Sequence, residues 1–398
     1  MQKNLRITPE GTRDLLFEEC LARRKAESIL SNLFQLRGYS EVMTPGIELY
    51  DLFDAGEPVI PAESMYKLTD SRGRLLVMRP DSTLPIARLT ATRLKDAPFP
   101  VRLYYAQDVY HMNHGRSGHN DQQFQAGIEL IGASGERADL EMLSLAVESL
   151  RICDVGDFRV EIGHVGFFLS LVGQLNVDDD VKDTIRTLIE DKNYAALGGV
   201  LDTLEPSDPV DFIRMLPRLF GGEEVLETAW ALCSNTESHA ALKYLSNLYK
   251  KLCALGLSDH VMIDLGMIHQ NEYYTGVIFR GYIEGSGDTV ISGGRYDTLL
   301  RRFGSDLPAT GFGVNVDSLT KRMLERQAVD PPKPSIVLVH ALPGYETEAF
   351  VKVGELAYQG MVCEFSVFNS LEEALVYAER RCISEVHAVS DTIKIYKL

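Results

Sequence analysis

Apolar residues at helical spacing dominate the first part of the chain. Residues 13–37 carry apolar side chains three and four positions apart and are followed by Gly38, so they are predicted to form one amphipathic helix. Further helices are predicted over residues 84–94 and 137–152. The turn residues Ser71–Gly73 separate two short apolar runs and predict a β-hairpin.

Farther along the chain, the apolar pattern becomes that of strands. Residues 101–110 are rich in aromatic and β-branched residues, and apolar and polar residues alternate from Phe124 to Ile131. The polar, glycine-containing segment 111–121 between them predicts a long loop. We interpret these segments as a strand–loop–strand unit of an antiparallel sheet.

A second change of pattern predicts a helical insertion over residues 175–256. Pro206, Pro209 and Gly221–Gly222 divide it into several helices, and strand patterns resume after it, at 261–268, 273–283 and 288–294. Residues 1–330 are therefore predicted to form an α+β core, in which helices flank an antiparallel sheet that the insertion interrupts.

A proline cluster separates this core from a shorter C-terminal part. Pro331, Pro332 and Pro334 predict a linker over residues 331–334, and residues 335–398 alternate strand and helix patterns as in a small α/β unit. That unit carries nine acidic and five basic residues. Its net negative charge makes it a poor candidate for binding RNA.

Composition narrows the class of protein. The formal net charge is −17 over 398 residues, which disfavours a nucleic-acid partner such as tRNA. The six cysteines form no CxxC pair and have no histidine cluster at zinc spacing, so we expect reduced thiols, no metal site and no cofactor. No signal peptide and no run of ~20 apolar residues is present, so we expect a cytoplasmic protein without a membrane partner.

Four separated segments carry candidate chemistry. RPDST (79–83) supplies a carboxylate and a hydroxyl, QAGIE (125–129) places alternate polar residues on one face of a strand, EYYTG (272–276) supplies two phenols, and SGGRYD (292–297) is a glycine-rich corner. Each segment alone has an ordinary structural explanation. Their combination and order indicate one binding site.

In this order the segments resemble the catalytic core of histidyl-tRNA synthetases. The resemblance extends from about Thr8 to Glu325 and also includes PEGTRD near the N-terminus, TP-x-x-E from Thr44 and PATGFGV from Pro308. It implies a class II aminoacyl-tRNA synthetase-like fold that works as a dimer. The family's first motif, here around Gly38–Glu48, supplies much of the dimer contact.

The resemblance also implies an amino-acid pocket for L-histidine. Carried over position by position, Asp81, Thr83 and Gln125 are expected to meet the α-amino group of the ligand. Glu129 and Tyr274 are expected to meet its imidazole, with Tyr273 beside them. The residue types suit these roles, because an ammonium group needs carboxylate and neutral acceptors and an imidazole N–H needs an acceptor oxygen.

The same resemblance implies that the activation chemistry is lost. Adenylate formation needs fixed cations around the phosphates, and the synthetase family uses three arginines for this purpose. At the corresponding positions this chain has His111, His269 and Ser318, and Asn113 replaces a glutamate that helps to hold ATP. Histidine is mostly neutral at pH 7 and has no guanidinium fork, so no catalytic residue is predicted.

A synthetase fold without these arginines is similar to a known paralogous family, the regulatory subunits of ATP phosphoribosyltransferase. Membership implies a non-catalytic chain that assembles with the short-form ATP phosphoribosyltransferase catalytic subunit, usually as a hetero-octamer. The catalytic chain carries out the first step of histidine biosynthesis. The resemblance implies that the regulatory chain activates it and mediates allosteric feedback inhibition by histidine.

Two other functions remain open. One is a histidine-sensing scaffold for some other partner, and a lack of complex formation with the catalytic chain distinguishes it. The other is an active histidyl-tRNA synthetase, which histidine-dependent exchange between ATP and pyrophosphate distinguishes.

Overall fold

The protein divides into two compact units in a computed structural model, which describes residues 6–54, 60–113, 120–268, 273–329 and 335–398. The first unit covers residues 1–329 and the second covers residues 330–398. The proline linker predicted at 331–334 lies outside the described residues.

A large sheet is the centre of the first unit. In the described residues it has nine strands in the order β1-β5-β6-β12-β11-β10-β7-β9-β8. A smaller sheet has the order β2-β4-β3 and contains the predicted hairpin. The strands are β1 (Ser40–Glu41), β2 (Ile47–Leu49), β3 (Lys67–Thr69), β4 (Leu75–Met78), β5 (Val101–Tyr110), β6 (Gln122–Ile131), β7 (Phe158–His164), β8 (Phe220–Gly221), β9 (Val261–Asp264), β10 (Val277–Ile283), β11 (Thr289–Arg295) and β12 (Ala309–Asn315).

Helices flank the large sheet and form the insertion. They are α1 (Phe17–Leu36), α2 (Asp51–Asp54), α3 (Thr83–Arg93), α4 (Glu136–Ile152), α5 (Val165–Val172), α6 (Asp179–Glu190), α7 (Tyr194–Leu201), α8 (Asp208–Met215), α9 (Glu223–Leu232), α10 (Thr236–Ala254) and α11 (Val316–Glu325). None of the helices in the described ranges is long and apolar enough to cross a bilayer.

The large sheet is mixed, whereas the sequence predicted an antiparallel one. The six strands from β5 to β7 in the sheet order are antiparallel to their neighbours, but β1 pairs with β5 and β9 pairs with β7 in parallel. A parallel pair requires a long crossover connection. The segment between β1 and β5 and the helical insertion between β7 and β9 are both long enough to provide one.

The helical region also begins earlier than the predicted boundary at residue 175. Helix α5 starts at Val165, directly after strand β7. The sequence did not predict this start, because the run VGFFLSLV is mostly apolar and its periodicity cannot distinguish a helix from a strand. The break predicted at Gly221–Gly222 contains the two-residue strand β8, which pairs with β9 and extends the large sheet.

The two faces of the large sheet pack against different cores. On β6, Phe124, Ala126, Ile128 and Leu130 face a core that also contains buried residues of α1, α4 and the insertion. The opposite face packs against α3 and a second, smaller core that includes Tyr105, Tyr273, Tyr274 and Tyr296. The polar residues of β6 lie on this second face, because side chains alternate along a strand.

The C-terminal unit has a four-stranded sheet of order β14-β13-β15-β16 with a helix on each face. Its strands are β13 (Val337–Ala341), β14 (Cys363–Phe365), β15 (Glu385–Val389) and β16 (Ile393–Lys397), and its helices are α12 (Glu346–Tyr358) and α13 (Leu371–Arg380). The strands β13, β14 and β15 are parallel and β16 is antiparallel. Separate apolar clusters under α12 and α13 give this unit its own core.

Candidate functional site

Glycines form the floor of the candidate site on the second face of the large sheet. Gly127, Gly311, Gly313 and Gly294 lie on the adjacent strands β6, β12 and β11. A Cβ atom on Gly313 would lie 2.7 Å from Nε2 of Gln125, and one on Gly294 would lie 2.8 Å from the Tyr274 ring. The missing side chains therefore leave room for larger polar groups to lie across the strands.

Glu129 is the most enclosed acid of the site. Its side chain crosses over Gly311, where a Cβ atom would collide with its carboxylate. One carboxylate oxygen accepts a hydrogen bond from the Thr83 hydroxyl at 2.8 Å, and the other accepts one from the Tyr296 hydroxyl. Burial raises the pKa of Glu129 to about 8, although both hydrogen bonds oppose the rise, and the charge of Asp81 adds to it.

Asp81 and Thr83 enter the site from the start of α3. The Asp81 carboxylate accepts the backbone N–H of Leu84 at 2.9 Å, an interaction typical of helix N-termini. Burial raises the pKa of Asp81 to about 6, while its backbone hydrogen bonds and the Arg79 charge oppose the rise. The RPDST segment thus places a carboxylate and a hydroxyl against β6.

Four tyrosines complete the walls. The rings of Tyr273 and Tyr274 are 4.8 Å apart between centroids, and Tyr296 lies 5.7 Å from Tyr273. On the other side, the Tyr105 hydroxyl donates to Oε1 of Gln125 at 2.9 Å. Burial is the main cause of a raised pKa in all four phenols, which keeps them neutral and able to donate hydrogen bonds.

The structure brings all six residues predicted to bind histidine to this one site, and their roles stay predictions. Sequence reasoning did not single out Tyr105 or Tyr296. Tyr296 belongs to the quoted SGGRYD segment, so its position was available as a signal. Tyr105 stands opposite Gly127 in the β5–β6 register, which only the strand pairing reveals.

The arrangement suits a cationic ligand with N–H donors. Two carboxylates share the site, the buried Glu129 and the half-buried Asp81, and among the described residues neither forms an ion pair within 4 Å. Carboxylates in such surroundings have a strong preference for an ammonium group or another cation that neutralises them. The phenol and amide groups around them add specific hydrogen-bond partners.

Two of the three positions at which the resemblance implies a lost synthetase arginine fall in the described residues. His111 follows β5, is half-buried and bonds the Pro80 carbonyl through its ring, while burial lowers its pKa. Ser318 lies in the first turn of α11, where its backbone N–H donates to Oδ1 of Asn315 at 3.1 Å. His269 lies outside the described residues.

Ser318 lines a surface cavity of about 750 Å³. The cavity is lined by two basic side chains, Arg13 and Lys321, and by four acidic ones, Glu19, Asp288, Asp317 and Glu325. Arg13 is already paired with Glu19 at 2.6 Å. A cavity with this excess of acid repels phosphate groups.

Comparisons with known proteins place this chain in a family. The family model of histidyl-tRNA synthetase matches residues 11–319. The chain is 37% identical to an ATP phosphoribosyltransferase regulatory subunit of Clostridium novyi, with 100% of this chain and 96% of that protein covered. Among the curated proteins similar to this chain are other regulatory subunits of the same name, including one from Bacillus thuringiensis at 37% identity, with 100% of this chain and 95% of that protein covered.

Solved structures agree on the fold. One described as an ATP phosphoribosyltransferase regulatory subunit/histidyl-tRNA synthetase from Bacillus halodurans superposes with a TM-score of 0.83 at 29% identity, covering 97% of both chains. A histidyl-tRNA synthetase from Nostoc superposes with a TM-score of 0.77 at 20% identity, over 98% of this chain and 94% of that one, and shares the fold. The predicted class II synthetase-like fold is confirmed, and the chain belongs to the family of ATP phosphoribosyltransferase regulatory subunits.

Proposed function

We propose that this chain is a non-catalytic regulatory subunit that binds L-histidine and controls a short-form ATP phosphoribosyltransferase catalytic chain. The observation that carries the proposal is the anionic, phenol-lined site around Glu129, which is chemically suited to an ammonium group and an imidazole. Its six expected contacts are Asp81, Thr83, Gln125, Glu129, Tyr273 and Tyr274. The family supplies the partner, because relatives over the full length are named as regulatory subunits of that enzyme.

The charge at two of the expected arginine positions supports a role without adenylation. Adenylate formation must stabilise negative charge on phosphate groups, and removing one such contact costs about 3 kcal/mol of transition-state stabilisation. Neither His111 nor Ser318 supplies a fixed cation, and the cavity beside Ser318 is more acidic than basic. We therefore expect no histidine-dependent exchange between ATP and pyrophosphate.

Control of the partner requires histidine to bind two states of the assembly with different affinity. In this proposal the chain activates the catalytic subunit when the pocket is empty and inhibits it when histidine is bound. The chain itself is proposed to form a dimer and, with the catalytic chains, a hetero-octamer, with neither tRNA nor a membrane as a partner.

The first experiment combines binding with activity. Isothermal titration calorimetry with L-histidine should show binding to the wild type and a loss of affinity of at least ten-fold in Glu129→Ala. Addition of the chain to a short catalytic subunit should raise phosphoribosyl transfer, and histidine should reverse that rise.

The outcomes separate the alternatives. Equal heats from wild type and Glu129→Ala would remove Glu129 from the site. Histidine binding without complex formation or stimulation would favour a scaffold for a different partner. Measurable histidine-dependent exchange between ATP and pyrophosphate would show an active synthetase and contradict the proposal.

A further inference from the structure

A free amino acid has an α-carboxylate, and the site described so far has no group to receive it. The Asp81 and Glu129 carboxylates suit the ammonium and imidazole groups but repel another carboxylate, and the neutral phenols around them supply no cation. A cation on the same face of the sheet is needed for the ligand class proposed above. The inference that follows rests on that proposed function and extends it to the carboxylate end of the ligand.

Arg280 on β10 lies on the face of the sheet that carries the site. Ile278, two residues before Arg280, packs in the apolar cluster of the site, whereas Val277 and Phe279 pack in the core on the other face. Side chains two residues apart share a face, so Arg280 is directed to the side of the tyrosines. Its charge also opposes the rise in the pKa of Tyr274, as a nearby cation must.

The register of the sheet leads from the site floor to Arg280. Gly127, Gly313, Ser292 and Arg280 stand opposite one another on four adjacent strands. Gly311, beneath the Glu129 carboxylate, is two strands and two residues away, or ~12 Å from the Arg280 backbone at ordinary strand spacing. An extended arginine side chain and a ligand the length of histidine together span that gap.

The other arginines near the site are occupied. The Arg79 guanidinium donates to the carbonyl oxygens of Thr44 at 2.7 Å and Pro45 at 2.9 Å and is almost fully buried. Arg295 pairs with Asp139 on α4, where its Nη2 lies 2.7 Å from the carboxylate. Neither side chain is placed to turn towards a ligand.

Arg280, in contrast, retains guanidinium N–H groups that can donate hydrogen bonds to a ligand. Its Nη2 donates to the backbone carbonyl of Ile268 at 2.7 Å, and no ion pair joins it to a carboxylate within the ranges that the structure describes. Two acids lie close to it, but both have other partners. Glu161 pairs with Nε of Arg159 at 3.1 Å, and Asp264 accepts the N–H of Gly266 at 2.9 Å.

We propose that Arg280 binds the α-carboxylate of the ligand, so that the pocket selects free L-α-amino acids over the amine or amino alcohol with the same side chain. A guanidinium presents two parallel N–H donors to a carboxylate, which gives both affinity and orientation. Asp81 and Glu129 then hold the nitrogen groups, and Arg280 reads the opposite end of the molecule.

Calorimetry with two ligands tests this assignment. L-histidinol keeps the ammonium and imidazole groups of L-histidine and replaces the carboxylate by an alcohol. In Arg280→Met we expect the affinity for L-histidine to fall by about 10- to 100-fold, since a charge-assisted hydrogen-bonded pair is lost. The affinity for L-histidinol should stay within about two-fold of the wild-type value.

A matched control and a conservative variant complete the design. Arg214→Met removes a guanidinium of α8 that pairs with Asp202 and should leave both affinities unchanged, while Arg280→Lys should restore part of the preference for L-histidine. Unchanged L-histidine affinity in Arg280→Met would overturn the inference. An equal loss of affinity for both ligands would also overturn it, because it would mean that Arg280 acts by holding the backbone at Ile268 in place. If the wild type does not bind L-histidine at all, both the proposed function and this inference are contradicted.

Discussion

Glu129 has an unusual position for an acidic side chain, because it is buried and has hydroxyl groups as its hydrogen-bond partners. Only 1% of its surface is exposed, and Thr83 and Tyr296 each donate to one of its oxygens. A carboxylate is costly to bury without a cation, so the empty pocket favours the protonated acid. A cationic ligand reverses that preference, which makes Glu129 a link between protonation and binding.

The stability of the ligand-free protein should depend on pH through this group. The pKa of Glu129 is raised to about 8 in the folded state, so its favourable contribution is complete below its unfolded pKa and disappears as pH rises through 8. Relative to Glu129→Gln, the wild type should lose about 2–3 kcal/mol of unfolding free energy between pH 6 and pH 8.

Urea unfolding of the wild type and Glu129→Gln at pH 6, 7 and 8 measures this difference. Ser318→Ala provides a control at a position without an ionisable group. A difference between wild type and Glu129→Gln that does not change with pH would contradict the raised pKa.

The residues of the site differ in how far the sequence predicts them. Asp81, Thr83 and Glu129 stand in short motifs whose residue types already indicate a binding role. Tyr105 belongs to a strand rich in aromatic residues, and its partner Gln125 is twenty positions away, across a hairpin. The approach of these two side chains depends on strand register, which no local pattern specifies.

The glycine-rich strands β11 and β12 determine the shape of the pocket at the scale of elements. A methyl group on Gly311 would collide with the Glu129 carboxylate and with the Ile128 carbonyl. The sequence indicates that another group packs closely against the backbone at these glycines, but it does not identify that group. The structure identifies the Glu129 side chain as that group.

Gly311→Ala should therefore displace Glu129 and reduce the affinity for L-histidine by more than ten-fold. Gly198→Ala is a suitable control, because α7 has open space at that position and alanine stabilises a helix by about 1 kcal/mol relative to glycine. Calorimetry and thermal denaturation on both variants measure these effects. Normal histidine affinity in Gly311→Ala would show that the floor tolerates a side chain.

The small sheet β2-β4-β3 presents exposed apolar side chains that suit the proposed dimer. Ile47 is 50% exposed and Met43, just before the sheet, is 73% exposed. Leu49 and Leu68 extend the same apolar surface, because both stand opposite Leu76 of β4. An apolar surface of this kind marks an interface in a soluble protein.

Ile47→Asp should weaken the dimer, because it introduces a charge into a surface that would be desolvated. Light scattering at micromolar concentration should then report half the wild-type mass. Leu169→Asp changes an exposed residue of α5 in the same way and should leave the mass unchanged. The proposed interface is wrong if Ile47→Asp stays dimeric or if both variants dissociate.

Long periodic elements are predicted best by the sequence. The helix α1 and the pair β5–β6 coincide closely with their apolar patterns. Strand β8 has only two residues and forms by pairing with the edge of β9. Its own sequence therefore has no pattern that predicts a strand. The parallel pairing of β7 and β9 is likewise a result of the long insertion between them and not of either strand's composition.

At the scale of the whole molecule, the residues assigned to the candidate site all belong to the first unit. Every residue assigned to the pocket lies before residue 330, and the second unit has its own apolar clusters. A chain ending at residue 329 should therefore bind L-histidine with a Kd within about three-fold of the full chain, as calorimetry can measure. Loss of binding by a folded 1–329 chain would assign the C-terminal unit a part in the pocket.

The position of β12 has a consequence for how the protein is made. This strand covers residues 309–315, yet it lies in the middle of the large sheet, between β6 and β11. During synthesis, β5 and β6 leave the ribosome long before their central neighbour and expose an unpaired edge. A message that ends before codon 309 therefore yields two half-sheets with open edges, which makes such fragments targets for aggregation and proteolysis and leaves them without the β12 part of the candidate site.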